Sequence, residues 1–189
     1  MARWQPHAPE RLAVAALELF EERGYENTTV IEIAERAGLT KSTFFRHFQD
    51  KREVLFGRGS MTDLLAKGIA GAPAGAAPLE AVACALDLVG QEAFTPERRE
   101  FAARRRTVIA GHPELQEREA LKGLALVASM TDALRRRGVP GLTACVATEL
   151  GALAMKIAYE GWSGTTGGAD FGTRARQALG DIRAATALC

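Results

Sequence analysis

The sequence predicts an all-α protein: a small N-terminal unit of short helices followed by a larger C-terminal helical bundle, about nine helices in all. Three observations predict it. Apolar residues recur at spacings of three and four through most of the chain, the period that gives an α-helix one buried side. Glycine and proline stand between these stripes, where they stop and start helices. No alternating β-branched run and no Asn-Gly pair occurs, so strand and hairpin signals are missing.

Taken in order, Pro9 opens the first helix within its first turn, and Leu12, Ala16, Leu19 and Phe20 form an apolar stripe up to Gly24. Thr29 and Glu32 have the spacing of a capping box for a short helix that buries Val30, Ile33, Ala34 and Ala37 and ends at Gly38. Thr40 caps the next, which runs to Phe48. Asp50 is expected to cap a fourth, with Val54, Leu55, Met61, Leu64 and Leu65 on its apolar side. The segment GIAGAPAGAAP, residues 68–78, is the sharpest shift in composition and is expected as a flexible connection. Beyond it helices are expected near 79–94, 96–110, 113–137, 141–162 and 170–188. Pro96, Pro113 and Pro140 mark starts, while Gly111, Gly138 and GTTGG at 164–168 mark stops. The helix over 141–162 is apolar on most sides, so neighbours or a second copy must enclose it. The expected domains are residues 1–57 and 58–189.

Composition narrows the function classes. The 189 residues are 47% apolar and 25% charged with a formal net charge of +1, which excludes a polybasic tail; an acidic partner must be met by local charge placement. No run of about eighteen uncharged apolar residues occurs, so no membrane span is expected. The N-terminal residues lack the uncharged core of a secretory signal. Of three cysteines, Cys84 and Cys145 sit in apolar helical contexts and are expected as reduced core residues; Cys189 is the third. The expected compartment is the cytoplasm. His7, His47 and His112 lack metal-ligand spacing, and no phosphate loop, Gly-x-Ser-x-Gly elbow or Cys-His arrangement occurs. Neither an enzyme, nor a cofactor, nor a metal site is expected.

The distinctive stretch is TTVIEIAERAGLTKSTFFRHFQDK, residues 28–51. Two short helices joined by a tight glycine turn make a helix-turn-helix, and a helix in second position can enter a DNA major groove about 12 Å wide. Phe44 and Phe48 are four residues apart and share a face that would pack onto Leu19, Phe20, Ile33 and Ala37. Lys41, Ser42, Thr43, Arg46 and His47 are left pointing away, on the side a recognition helix presents to base edges. Lys51 and Arg52 follow within reach of flanking phosphates.

The stretch resembles the TetR family of bacterial transcriptional repressors, whose N-terminal pattern is matched by Thr28, Thr29, Val30, Ile33, Ala34, Ala37, Gly38, Leu39, Thr40, Thr43, His47, Phe48, Lys51 and Leu55. The resemblance implies a helix-turn-helix DNA-binding domain on a larger helical domain that dimerises and holds a small-molecule pocket. It implies that Thr29 and Thr40 contact phosphates, that Lys41, Thr43 and Arg46 read bases, and that His47 and Lys51 hold the duplex backbone. Two positions depart from it. Phe45 stands where the family usually has tyrosine, which removes a phenol-to-phosphate hydrogen bond, and Ser42 replaces a common glycine. Loss of DNA binding, leaving an all-α ligand-binding or interaction protein, is the reading that Phe45 favours. Repression rather than activation rests on the family analogy.

One recognition helix reads three or four base pairs, so a two-fold homodimer on a palindromic operator is expected. Its interface is expected from Leu142, Val146, Leu150, Leu153 and Ile157 together with Ala178, Leu179, Ile182 and Ala185; the alternative is burial inside one subunit. Candidate linings for the pocket of a lipophilic effector are Phe94, Phe101, Val108, Met130, Tyr159 and Trp162, each of which is otherwise plain core. Arg104, Arg105 and Arg106 either meet an anionic ligand or form a solvated face, and His112 stands at a helix entry.

Overall fold

The computed structural model describes residues 7–57, 60–165 and 167–186; Cys189 and the expected end of the last helix lie outside them. The described residues form nine α-helices and no strand: α1 (Ala8–Arg23), α2 (Val30–Arg36), α3 (Lys41–His47), α4 (Ser60–Ala70), α5 (Pro78–Glu92), α6 (Arg99–Ala110), α7 (Pro113–Arg136), α8 (Gly141–Ser163) and α9 (Phe171–Thr186). Two single 3-10 turns, Glu53–Leu55 and Pro96–Arg98, complete the regular structure. The chain divides into two compact units, Met1–Arg58 with Phe101–Ala120, and Gly59–Glu100 with Leu121–Cys189. Most of α6 and the first turns of α7 therefore belong with the N-terminal helices.

The first unit is built on one apolar cluster. Leu12, Leu17, Leu19 and Phe20 of α1, Ile33 and Ala34 of α2, Phe44 of α3, and Phe48, Val54 and Leu55 after it are all buried together, joined by Val108, Ile109 and Leu115. Arginines fasten the edges. Arg104 donates to Glu21 at 3.1 Å, Arg105 donates to the Leu55 carbonyl at 2.7 Å, and Arg118 pairs with Glu53. These contacts engage Arg104 and Arg105 inside the unit.

In the second unit α4 packs on α5, α5 on α8 and α9, and α8 on α9. Close approach is bought with small residues. A Cβ at Gly68 would stand 2.4 Å from the Ala85 Cα, and one at Gly151 would stand 2.4 Å from a Val82 methyl, so α4 and α8 present bare backbone where α5 crosses. Gly68 and Ile69 thus lie inside α4, and the connection expected at 68–78 begins after Ala70. Gly68 acts as a contact surface for α5 and does not break α4. The guanidinium of Arg137 donates to the Ile69, Ala72 and Pro73 carbonyls at 3.1, 3.0 and 2.6 Å, capping the end of α4.

Three further expectations change. Asp50 caps only a single 3-10 turn: its carboxylate accepts from the Arg52 and Glu53 backbone N–H groups at 2.8 and 3.2 Å, and Gly57 then turns left-handed at φ +63°. Val54 and Leu55 join the first core, whereas Leu65 is buried in the second unit. Cys145 is exposed rather than in the core, and Cys84 is half-buried. Among the described residues α8 is the one helix long and apolar enough, by length and composition, to cross a membrane; it carries Glu149, Lys156 and Glu160, so it holds no uncharged run of about eighteen residues. Its inner side is lined by Ala144, Ala147, Thr148, Gly151, Ala154, Ala158 and Trp162.

Candidate nucleic-acid interface

Side-chain caps set both short helices of the first unit. The Thr29 hydroxyl accepts from the Glu32 backbone N–H at 3.3 Å, and the Glu32 carboxylate accepts from the Thr29 N–H at 2.9 Å, which closes a capping box on α2. The Thr29 backbone N–H, then its hydroxyl, hold the Glu32 carboxyl below the usual carboxylate range. Because the folded value is lowered, this stabilisation is present above the ordinary range and fades as pH falls through the folded value. The Thr40 hydroxyl accepts from the Thr43 backbone N–H at 3.1 Å and caps α3. Between the helices Gly38 adopts φ +65°, a conformation that glycine reaches without strain, and Arg11 donates to the Ala37 carbonyl to close the turn from the α1 side.

A seven-residue helix is too short to persist by itself. Phe44 and Phe48 hold α3, buried in the core with ring centroids 5.6 Å apart. That anchoring leaves Lys41, Ser42, Phe45 and Arg46 exposed, with Thr43 and His47 half-buried. Lys41 lies 5.9 Å from the centroid of the Phe45 ring, which remains 45% exposed.

Charge is sorted between the two short helices. On α2, Arg36 makes a two-pronged pair with Glu22 at 2.9 and 2.8 Å, and Glu32 takes Arg23 at 2.9 Å. The hydrogen bond from Arg36 lowers the Glu22 carboxyl. Neither Lys41 nor Arg46 makes an ion pair among the described residues. The outer side of α3 therefore keeps its positive charge, while Glu18, Glu21 and Glu22 of α1 and Glu32 of α2 pair with other arginines.

Lys51, expected at the duplex backbone, is instead aimed into its own unit. Its ammonium donates to the Tyr25 and Thr28 carbonyls at 2.7 and 3.2 Å, sits 3.4 Å from the Glu26 carbonyl, and lies 4.1 Å over the Tyr25 ring. Tyr25 is itself buried, donates to Glu114 at 3.2 Å and packs edge-on to Phe20. Burial first, and then the Glu114 charge, pushes its phenol up out of the ordinary range. His112 stacks at a tilt on the same ring.

The remaining site residues divide. Phe94, Tyr159 and Trp162 come together, and Phe171, which sequence reasoning passed over, joins them; Phe94 is 5.1, 5.4 and 4.6 Å from the other three rings. Met130 is buried in the same unit, whereas Val108 belongs to the core of the first and the half-buried Phe101 packs against that core. On α8, Leu142, Val146, Leu153 and Ile157 are 79, 51, 46 and 46% exposed and follow one helical stripe, with Leu150 half-buried beside it. Ala178, Leu179 and Ile182 turn inward and are buried, because α9 spends its apolar stripe on α5 and α8, while Ala185 is exposed. No group of three His, Cys, Asp or Glu side chains able to hold a metal ion occurs among the described residues.

The family model of the bacterial regulatory proteins of the tetR family matches residues 12–57. Over 81 residues, 42% of its length, the chain is 41% identical to the HTH-type transcriptional regulator TcmR of Streptomyces glaucescens. Over 44 residues, 23% of its length, it is 43% identical to the HTH-type transcriptional activator FasR of Mycolicibacterium smegmatis. These matches span 36% and 20% of the two relatives' own lengths. Among solved structures, NalD of Pseudomonas aeruginosa aligns over 93% of this chain and 94% of its own at a TM-score of 0.58 and 22% identity. A TetR-family regulator from Mesorhizobium loti aligns over 96% of both chains at 0.55 and 21%. At such identity the structural likeness speaks for the fold.

Proposed function

We propose that this chain, whose residues 12–57 match the family model of the bacterial regulatory proteins of the tetR family, is a homodimeric repressor of that family, released from a palindromic operator by a small molecule. The observation that carries the DNA half is the exposed, unneutralised Lys41–Arg46 side of α3, held outward by the buried Phe44 and Phe48. In this reading Lys41, Thr43 and Arg46 face base edges, with Ser42 adding a hydroxyl. Thr29, Thr40 and His47 lie against phosphates. Phe45 offers its ring in place of a phenol, which costs about 1 kcal/mol of non-specific affinity. The protein then works in the cytoplasm, where its operator is.

Footprinting on the DNA upstream of its own gene tests the reading: a protected inverted repeat with half-sites about 34–36 Å apart, or a multiple, is the expected result, and no protection at any concentration would sink it. On that operator Arg46→Ala should lose roughly 1–3 kcal/mol and relax preference at one base pair, because guanidinium pairs bidentately with guanine. A uniform loss across operator variants would return Arg46 to the phosphates. A transcription reporter settles the sign, since the relative FasR is described as an activator.

The second copy is proposed to cover the α8 stripe of Leu142, Val146, Leu153 and Ile157, with Leu150 at its edge. Leu142→Glu combined with Val146→Glu should raise the dimer dissociation constant about ten-thousandfold, from roughly 1.5 kcal/mol for each apolar side chain left uncovered, two on each subunit. Sedimentation of the parent as a monomer at all concentrations would refute it. The effector half needs only modest energy: a tenfold to hundredfold loss of operator affinity corresponds to about 1.4–2.8 kcal/mol of coupling.

A further inference from the structure

Two buried donors in the second unit have no acceptor. Trp162 is fully buried in the last turns of α8, and its indole N–H finds no hydrogen-bond partner among the described residues. The same holds for the Nε–H of Arg99, at the start of α6. The two are neighbours, with the Arg99 guanidinium 5.5 Å from the centroid of the Trp162 ring. An indole N–H removed from water without an acceptor is costly, and buried polar groups left unmet are rare enough to need a reason. The Arg99 cation sharpens the point, since it forms no ion pair among the described residues and has only the ring face beneath it.

The surroundings say what shape would supply the missing acceptor. Phe94 lies 5.4 Å and Phe171 6.4 Å from Trp162, with Tyr159 at 6.2 Å, so the indole belongs to a cluster of four rings and Arg99 lies over one member of it. Rings packed at tilts of 43–51° around Phe94 make contacts that another flat ring can replace at little loss. An oxygen can accept from both the indole N–H and the guanidinium, and the guanidinium charge favours an anionic one, which makes the shorter, stronger hydrogen bonds of a charge-assisted pair.

We propose that Phe94, Tyr159, Trp162 and Phe171 form the binding site for a planar aromatic carboxylate, whose ring joins the aromatic wall and whose carboxylate accepts from Trp162 Nε1 and Arg99. The proposal rests on the effector reading above and names the chemistry of its ligand. Trp162 fixes the orientation and Arg99 supplies the charge preference.

Isothermal titration of the full-length protein with 2-naphthoate, 2-naphthamide and 2-methylnaphthalene tests it. The expected order is naphthoate tightest, by at least about tenfold over the hydrocarbon, the ratio that one charge-assisted hydrogen bond supplies. Arg99→Met should cut the preference for naphthoate over the hydrocarbon to the severalfold that the Trp162 N–H alone supplies. Trp162→Phe, which keeps a ring and removes only the N–H, should weaken naphthoate severalfold. A melting curve confirms that each variant is folded, and Arg99→Lys, retaining charge at a shifted position, should restore part of the preference. Equal binding of the three probes, binding of none, or an unaltered preference in Arg99→Met would each overturn the site. Operator release is measured separately: naphthoate that binds with the expected preference yet leaves the footprint intact removes the effector reading and leaves the site standing.

Discussion

Replacing Phe44 with alanine is expected to remove about 3–5 kcal/mol of stability from the first unit, the cost of truncating a fully buried aromatic side chain. Phe44 has no exposed surface and shares one core with residues of α1, α2 and α6. Its neighbour Phe45 is 45% exposed, so Phe45→Ala should cost less than about 1 kcal/mol. Denaturant melts of the two variants read the contrast directly. Similar losses from both would mean that α3 is not held by its inner face, and the outward display of Lys41 and Arg46 would lose its physical basis. Because α3 spans only seven residues, operator affinity should fall with Phe44→Ala even under conditions where the rest of the protein stays folded.

That contrast was legible in the sequence, and the reason is local. A helix seven residues long with phenylalanines four apart can bury only one side, and the hydroxyls at Thr29 and Thr40 sit where orphan N–H groups need acceptors. The same reasoning reaches the tandem of α2 and α3 and the outer stripe of α8. It fails where a residue's role depends on something distant in the chain. Gly68 looks like a linker glycine until Ala85 is seen to lie against it. Phe101 and Val108 look like pocket residues until α6 is found to set them against and in the first core. Leu179 and Ile182 carry the right spacing for an interface, but α5 and α8 claim that side of α9. Periodicity says that a face is covered and leaves open by what. Arg99 and Phe171 carried no sequence signal, since an arginine after proline and an aromatic after a glycine loop are ordinary helix openings.

Lys51 is the residue for which family pattern and geometry lead to opposite experiments. As a phosphate ligand, its loss would leave stability alone and reduce the salt dependence of operator binding by about one unit of slope. The structure points the other way. The ammonium spends its donors on the carbonyls of Tyr25 and Thr28 and rests on the Tyr25 ring, tying the loop between α1 and α2 to the segment after α3. Hydrogen bonds to a charged group contribute about 1.5–3 kcal/mol, and a cation over a partly desolvated ring adds about 1 kcal/mol. Lys51→Ala should therefore cost about 3 kcal/mol, lowering Tm by roughly 6–12 °C for a chain of this size, with the salt slope unchanged. Lys41→Ala supplies the reverse case: an exposed ammonium, no ion pair, little effect on Tm and a flatter slope. Should Lys51→Ala melt with the parent and flatten the slope as Lys41→Ala does, the ammonium leaves the loop when DNA arrives, and its carbonyl contacts are a resting position rather than a fastening.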